Sequence, residues 1–252
     1  GKVFQTPVYE TPEGTRVAKG RGLLNFIELS GQDKVLSLFA FGKKDTESGI
    51  QYLAMITKDG IIKKTPLEDF KNVRKSGLIA MSLKKGDILR SVQKSTGEDE
   101  LIITTRKGQS IHFKEKDVRS MGRPAAGIHA MRLKKGDEVV GMDVIPNPKQ
   151  NQGTKRSTLD ATRYLFILME NGYGKRTDVK EYRLQTRGGS GIKTANVTPK
   201  TGNLVYAKVL QGVEEDLIVI SRKGQVIRTP VDSIPKISRS TQGVRIMRLD
   251  EG

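Results

Sequence analysis

One hairpin is written repeatedly along this chain, and that repetition restricts the fold more than any other feature. Residues 216–230 read as a strand, a tight turn at Arg222-Lys223-Gly224 and a second strand. Residues 52–66 repeat the pattern around Gly60, residues 100–114 around Gly108, and residues 164–177 around Gly172. Residues 1–7 have the form of the back half of a fifth copy. A turn glycine between apolar, β-branched runs is a hairpin signature. A chain of such units builds its core by stacking each one against the next.

Past each hairpin comes a second glycine: Gly22, Gly77, Gly127, Gly191 and Gly243. It stands 17 residues after Gly60 and 19 after each of Gly108, Gly172 and Gly224. An alternating stretch follows, then a Gly-Asp type turn (Asp87, Asp137) and a last strand. In the first unit the corresponding strands are expected after Gly22 and at 35–39. Only 67–73 and 118–121 suggest helical turns. The unit is therefore four short strands, and the chain is expected to be all-β: a propeller-like array of four-stranded blades. Approximate units are 1–45, 46–95, 96–149, 150–212 and 213–252. Five are visible and six are possible in an intact domain. The first lacks its opening strand and the fifth its closing strand, so the two ends are expected to complement each other or to flank a further unit. The stretch 146–158 is polar and basic, an insertion with the composition of a mobile loop.

Charge is the second strong signal. There are 45 Lys+Arg against 28 Asp+Glu, a net of +17, and the pI is near 10.0. Such a balance points first to a polyanionic partner. With no cysteine there are no disulfides and no thiolate metal ligands. No apolar run approaches the roughly 20 residues of a membrane helix, so no membrane partner is expected and the predicted location is the cytoplasm, near the nucleoid.

The basic residues recur in register. Four residues after the first glycine stand Gln5, Lys64, His112, Arg176 and Arg228, with Lys63 and Lys175 beside them. Three or four residues before the second glycine stand Lys19, Arg74, Arg123, Arg187 and Arg239, with Arg21, Lys75, Arg119, Arg183 and Lys236 close by. A basic residue in the same loop of every unit lays positive charge along one side of the array. That arrangement suits the phosphates of a bent duplex, bound without reading bases. The acidic clusters at 97–100 and 213–216 precede first strands, a different place in the unit.

Catalytic chemistry is not visible. The two histidines, His112 and His129, lie in different strands. No paired-carboxylate, triad, P-loop or metal-ligand spacing occurs, so neither catalytic nor metal residues are assigned.

Several phrases resemble the C-terminal domains of the DNA gyrase and topoisomerase IV A subunits. They are Asn-Gly-Tyr-Gly-Lys-Arg-Thr at 171–177, Gly-Glu-Asp-Glu at 97–100, Phe-Lys-Glu-Lys-Asp-Val-Arg-Ser-Met-Gly at 113–122 and Ser-Thr-Gln-Gly-Val at 240–244. The resemblance implies a β-pinwheel, a disc whose blades exchange strands and whose basic outer rim binds and bends duplex DNA. It implies a parent type IIA topoisomerase that uses ATP and Mg, with no cofactor in this domain. The partners it implies are the ATPase B subunit, together with the remainder of the A subunit. Supercoiling members carry a box, Gln-Arg-Arg-Gly-Gly-Lys-Gly, in the first blade. Here the nearest match is Gln185, Thr186, Arg187, Gly188, Gly189, Ser190 and Gly191, in the fourth visible unit and with one arginine fewer. That departure puts gyrase-type supercoiling in doubt and leaves relaxation or decatenation as an open alternative. The competing readings are a protein-interaction propeller that docks an acidic partner, and a propeller hydrolase or lyase, for which the sequence supplies no acid/base residues.

Overall fold

The computed structural model describes residues 1–15, 17–30, 33–42, 45, 47–147, 162–211 and 216–249. The insertion expected at 146–158 falls outside the described residues from 148 onward. The described strands form antiparallel sheets arranged as the blades of a propeller. The first unit contributes β1 (Lys2–Val3) and the second contributes β2 (Tyr52–Thr57), β3 (Ile61–Pro66), β4 (Leu78–Ile79) and β5 (Leu89–Ser95). The third contributes β6 (Glu100–Thr105), β7 (Gln109–Lys114), β8 (Ile128–His129) and β9 (Val139–Ile145). In the fourth come β10 (Arg163–Met169), β11 (Tyr173–Asp178), β12 (Ile192–Lys193) and β13 (Leu204–Gln211). The fifth carries β14 (Asp216–Ile220), β15 (Val226–Pro230) and β16 (Val244–Arg245).

The blades are not the sequence units. Their strand orders are β5-β2-β3-β8, β9-β6-β7-β12 and β13-β10-β11-β16, so each takes its outer strand from the next unit. β4 likewise leaves its own unit to pair with β1. This exchange explains the second glycine. A Cβ on Gly127 would meet Ile62 O at 2.6 Å, one on Gly191 would meet Ser110 O at 2.6 Å, and one on Gly243 would meet Gly174 O at 2.6 Å. The arriving strand crosses the neighbour's hairpin so closely that only glycine fits, and each of these three also has a positive φ.

The core lies between blades. Ala54, Ile56 and Ile62 pack with Leu101, Ile103, Ile111 and Phe113 across one seam. Ile102 faces the opposite way, joining Leu165, Ile167 and Val209 across the next. Strand side chains alternate, so a hairpin sandwiched between two blades is apolar on both faces. Each buried Ile or Leu contributes roughly 1.5–3 kcal/mol relative to exposure.

The end units depart from expectation. Among the described residues, β14 and β15 pair only with each other and β1 only with β4, so the ends do not complement one another. Ile218, Ile220 and Val226 are exposed in consequence. The strands expected after Gly22 and at 35–39 are not formed: Leu23–Asn25 is a 3-10 turn, and 35–39 has no ladder. Among the described residues no hairpin edge is paired with either segment, and a strand without ladder partners does not persist in water.

Candidate nucleic-acid interface

The innermost strands β5, β9 and β13 pack against one another, which puts β8, β12 and β16 at the opposite, outer edges. The loop before each exchanged strand runs along that same edge. Ser120 bridges Lys64 in parallel, and Met121 N donates to Lys64 O at 2.9 Å. Two units further along the chain, Lys236 bridges Arg176, and Ile237 N donates to Arg176 O at 2.9 Å. The exchange loops are therefore the rim of the array.

These loops hold the second basic row. Lys19, Arg21, Arg74, Lys75, Arg119, Arg183 and Lys236 are exposed, while Arg123, Arg187 and Arg239 are half-buried. Arg187 Nε donates to Asp117 O at 3.0 Å, and its Nη1 to His129 O. Arg239 Nη1 donates to Lys193 O at 2.9 Å. Both arginines thus tie their loop to the second residue of the preceding exchanged strand. A guanidinium has five N–H donors, and Arg187 uses two of them in this way.

The first basic row is a correction. Lys63, Lys64, His112, Lys175 and Arg176 are each 7% exposed or less, so they do not present charge to an outside partner. Blades cover both faces of their strands, and the next unit's loop covers the outer edge. Lys64 Nζ donates to Gly97 O at 3.2 Å and lies 3.8 Å from the Glu115 carboxylate. His112 bonds Tyr182 O at 2.7 Å through Nδ1 and Glu100 Oε2 at 2.9 Å through Nε2. Arg176 donates to Ile234 O at 2.8 Å and pairs with Asp232 at 3.1 Å. Three of these residues therefore repeat one job, fastening a hairpin to the turn that follows the next hairpin. Arg228 is exposed, with its Nε on Asp216 Oδ2 at 2.6 Å. Glu100 and Asp216, the first residues of β6 and β14, pair with His112 and Arg228 of their own hairpins.

The box-like loop 185–191 sits on the rim, but its backbone is engaged internally. Gln185 N donates to His112 O at 2.8 Å, Gly188 N to Ala130 O at 2.7 Å, and Gly189 O accepts from Arg132 N at 2.8 Å. The Gly188 amide is thus held by the fold and is not offered to a phosphate. Thr186 and Ser190 are exposed at the loop surface.

Two rim cations escaped the sequence reading. Lys193 and Arg245 are the second residues of β12 and β16, exposed on the outermost strands. Their signal is a fixed offset of two residues after the second glycine, a position filled by Ile79 and His129 in other units.

The family model for the DNA gyrase C-terminal domain, a beta-propeller, matches residues 51–95, 99–146, 163–211 and 215–252. The chain belongs to this family. It is 40% identical over 252 residues to the DNA gyrase A subunit of Staphylococcus epidermidis (strain ATCC 12228 / FDA PCI 1200), covering all of this chain and 26% of that protein. It is 37% identical over 251 residues to the DNA gyrase A subunit of Staphylococcus aureus (strain NCTC 8325 / PS 47), covering all of this chain and 27% of that protein. The chain thus spans about a quarter of these relatives. Among solved structures, the C-terminal domain of DNA topoisomerase IV superposes with a TM-score of 0.84 at 22% identity, over 98% of this chain and 72% of that one. A DNA gyrase A C-terminal domain superposes with a TM-score of 0.76 at 23% identity, over 100% of this chain and 76% of that one. Both likenesses establish the strand-exchanged propeller fold, and family membership rests on the match along the sequence.

Proposed function

We propose that this domain binds duplex DNA along its outer rim and bends it, serving as the non-catalytic, DNA-wrapping part of the larger chain of a type IIA topoisomerase. The observation that carries the reading is the exchange-loop row. Arg74 and Lys75, Arg119 and Arg123, Arg183 and Arg187, and Lys236 and Arg239 occupy corresponding loops of successive units, and in each loop at least one cation is exposed. Duplex DNA carries one charge per about 1.7 Å of axis, so a curved row of cations matches its backbone without any base contact. The gyrase relatives support the parent assignment. In this reading, strand passage, ATP and Mg belong to an ATPase B subunit, together with the rest of the A subunit.

The rim acts as a row. The 185–191 loop has a single arginine, already tied to two carbonyls, so the wrap is shared among units and not centred on this loop. Charge reversal tests the row: Arg74→Glu, Arg119→Glu, Arg183→Glu and Lys236→Glu together, in an electrophoretic shift with a duplex of about 80 bp, long enough to follow a bend. Loss of binding with an unchanged circular dichroism spectrum is the expected result. Retention of wild-type affinity would overturn the reading, and an unsubstituted chain that binds an acidic polypeptide more tightly than the duplex would favour a protein-docking rim.

A further inference from the structure

Two ammonium groups lie directly beneath the rim. Lys63 Nζ donates to the carbonyls of Gly122 at 2.9 Å, Arg123 at 2.6 Å and Ala125 at 3.2 Å. Lys175 Nζ donates to Ser238 O at 2.7 Å, Arg239 O at 2.5 Å and Thr241 O at 3.1 Å, and to Thr241 Oγ1 at 3.0 Å. The two cages are the same construction in two different blades. Each lysine stands three residues after the hairpin glycine, and each engages the rim arginine's own carbonyl, the carbonyl before it and the one two residues after. Both side chains are fully buried. Three donors meet three inward-turned carbonyls, which is the full hydrogen-bonding capacity of an ammonium.

The other units show that the lysine is a choice and not a requirement of the fold. Ile111 holds the same place in the third hairpin, and its Cδ1 lies 3.6 Å from the position of a Cβ on Gly189 in the box-like loop. Phe4 holds it in the first unit, with its ring against Gly77. An apolar seat therefore serves the glycine-rich loop, while a charged seat serves loops 122–126 and 238–242, which lie above Lys63 and Lys175.

We infer that Lys63 and Lys175 are positioning residues for DNA binding: each buried ammonium pins the loop that carries Arg123 or Arg239 in the conformation that faces a phosphate, and adds a fixed positive charge beneath it. The inference rests on the rim reading above. The charged groups acting on Lys63 include Asp69, and those acting on Lys175 are Glu181, Arg239 and Lys193. Burial pushes both ammonium groups down to about 8. A neutral amine keeps two donors and turns a lone pair toward the cage, so the pin weakens as the proton leaves.

The test uses this chain with Lys63→Met, Lys175→Met and both together, read by fluorescence anisotropy on a duplex of about 40 bp over a salt series. Hydrogen exchange of the loop amides is followed in parallel. Each single variant is expected to bind about 3- to 10-fold more weakly, with the salt slope smaller by about 0.9 for one lost phosphate contact. Amides in 122–126 or 238–242 exchange faster, while those in 185–189 are unchanged. Wild-type affinity and slope in the variants would overturn the inference. If the unsubstituted chain binds no duplex, the rim reading fails, and loop exchange alone then decides: faster exchange keeps the lysines as loop-holding residues and unchanged exchange removes that role. If a variant does not fold, the unsubstituted chain is titrated from about pH 7 to about pH 9, spanning the lysine titration. A several-fold fall in affinity is then expected, and a flat profile contradicts the inference.

Discussion

The Arg176 guanidinium meets the Asp232 carboxylate at 3.1 Å across the seam between the fourth and fifth units. The pair is asymmetric: the arginine side chain is 3% exposed and the aspartate 49%. Arg176 also donates to the carbonyls of Ile234 and Asp232, at 2.8 and 2.9 Å. Arg176→Met leaves those carbonyls without their donor, and the loss is expected to cost about 2–3 kcal/mol, as for buried acceptors left unsatisfied. Because the fifth hairpin is covered on one face only, proteolysis of the variant is expected first within 216–249.

Gly188 and Gly191 lie in one loop and make opposite demands. Gly188 has a φ of +86°, and a Cβ added there would have nothing within 4 Å. Gly188→Ala therefore carries only the left-handed backbone penalty, about 1–2 kcal/mol. A Cβ on Gly191 meets Ser110 O at 2.6 Å, so Gly191→Ala also forces the exchanged strand away, and more than about 3 kcal/mol is expected. Urea denaturation of the two variants checks the order. Equal losses would contradict the close crossing.

This contrast shows what the sequence disclosed. The hairpins, their turn glycines and the second glycine were legible because each imposes a backbone conformation that few residues adopt. Strand exchange was not legible from spacing, since a strand's sequence does not name the edge it joins. Nor was the burial of Lys63, Lys64, His112, Lys175 and Arg176. Register in a repeat marks an equivalent place, and an inter-blade link recurs as faithfully as a binding row. Apolar residues on both faces of these hairpins were the available clue, because a strand covered on two sides has no solvent face on which to display charge.

The pH dependence of stability follows from the two buried lysines. Their folded-state values near 8 lie below the ordinary 10.5, so between these limits the unfolded chain holds protons that the folded chain has released. Their contribution therefore rises as pH climbs from about 8 toward about 10.5. Lys63→Met with Lys175→Met is expected to remove this rise. Urea midpoints of the two proteins at about pH 7.5 and about pH 10 measure it, and parallel changes would contradict it.

Single rim substitutions are expected to act through salt dependence. Arg119→Ala and Arg183→Ala remove exposed cations, and each should lower the slope of log affinity against log salt by about 0.9. Their thermal midpoints should stay within about 2 °C of wild type, as for surface changes. Substitution of Arg228, whose exposed side chain is already paired with Asp216, should alter the slope less.

The most direct measurement is end-to-end energy transfer on a short duplex titrated with this chain at several salt concentrations. The account predicts that the ends approach on binding, and that log affinity falls with log salt by several units, at about 0.9 per phosphate contact. A duplex that binds but stays straight, or an affinity indifferent to salt, would contradict a rim that bends DNA.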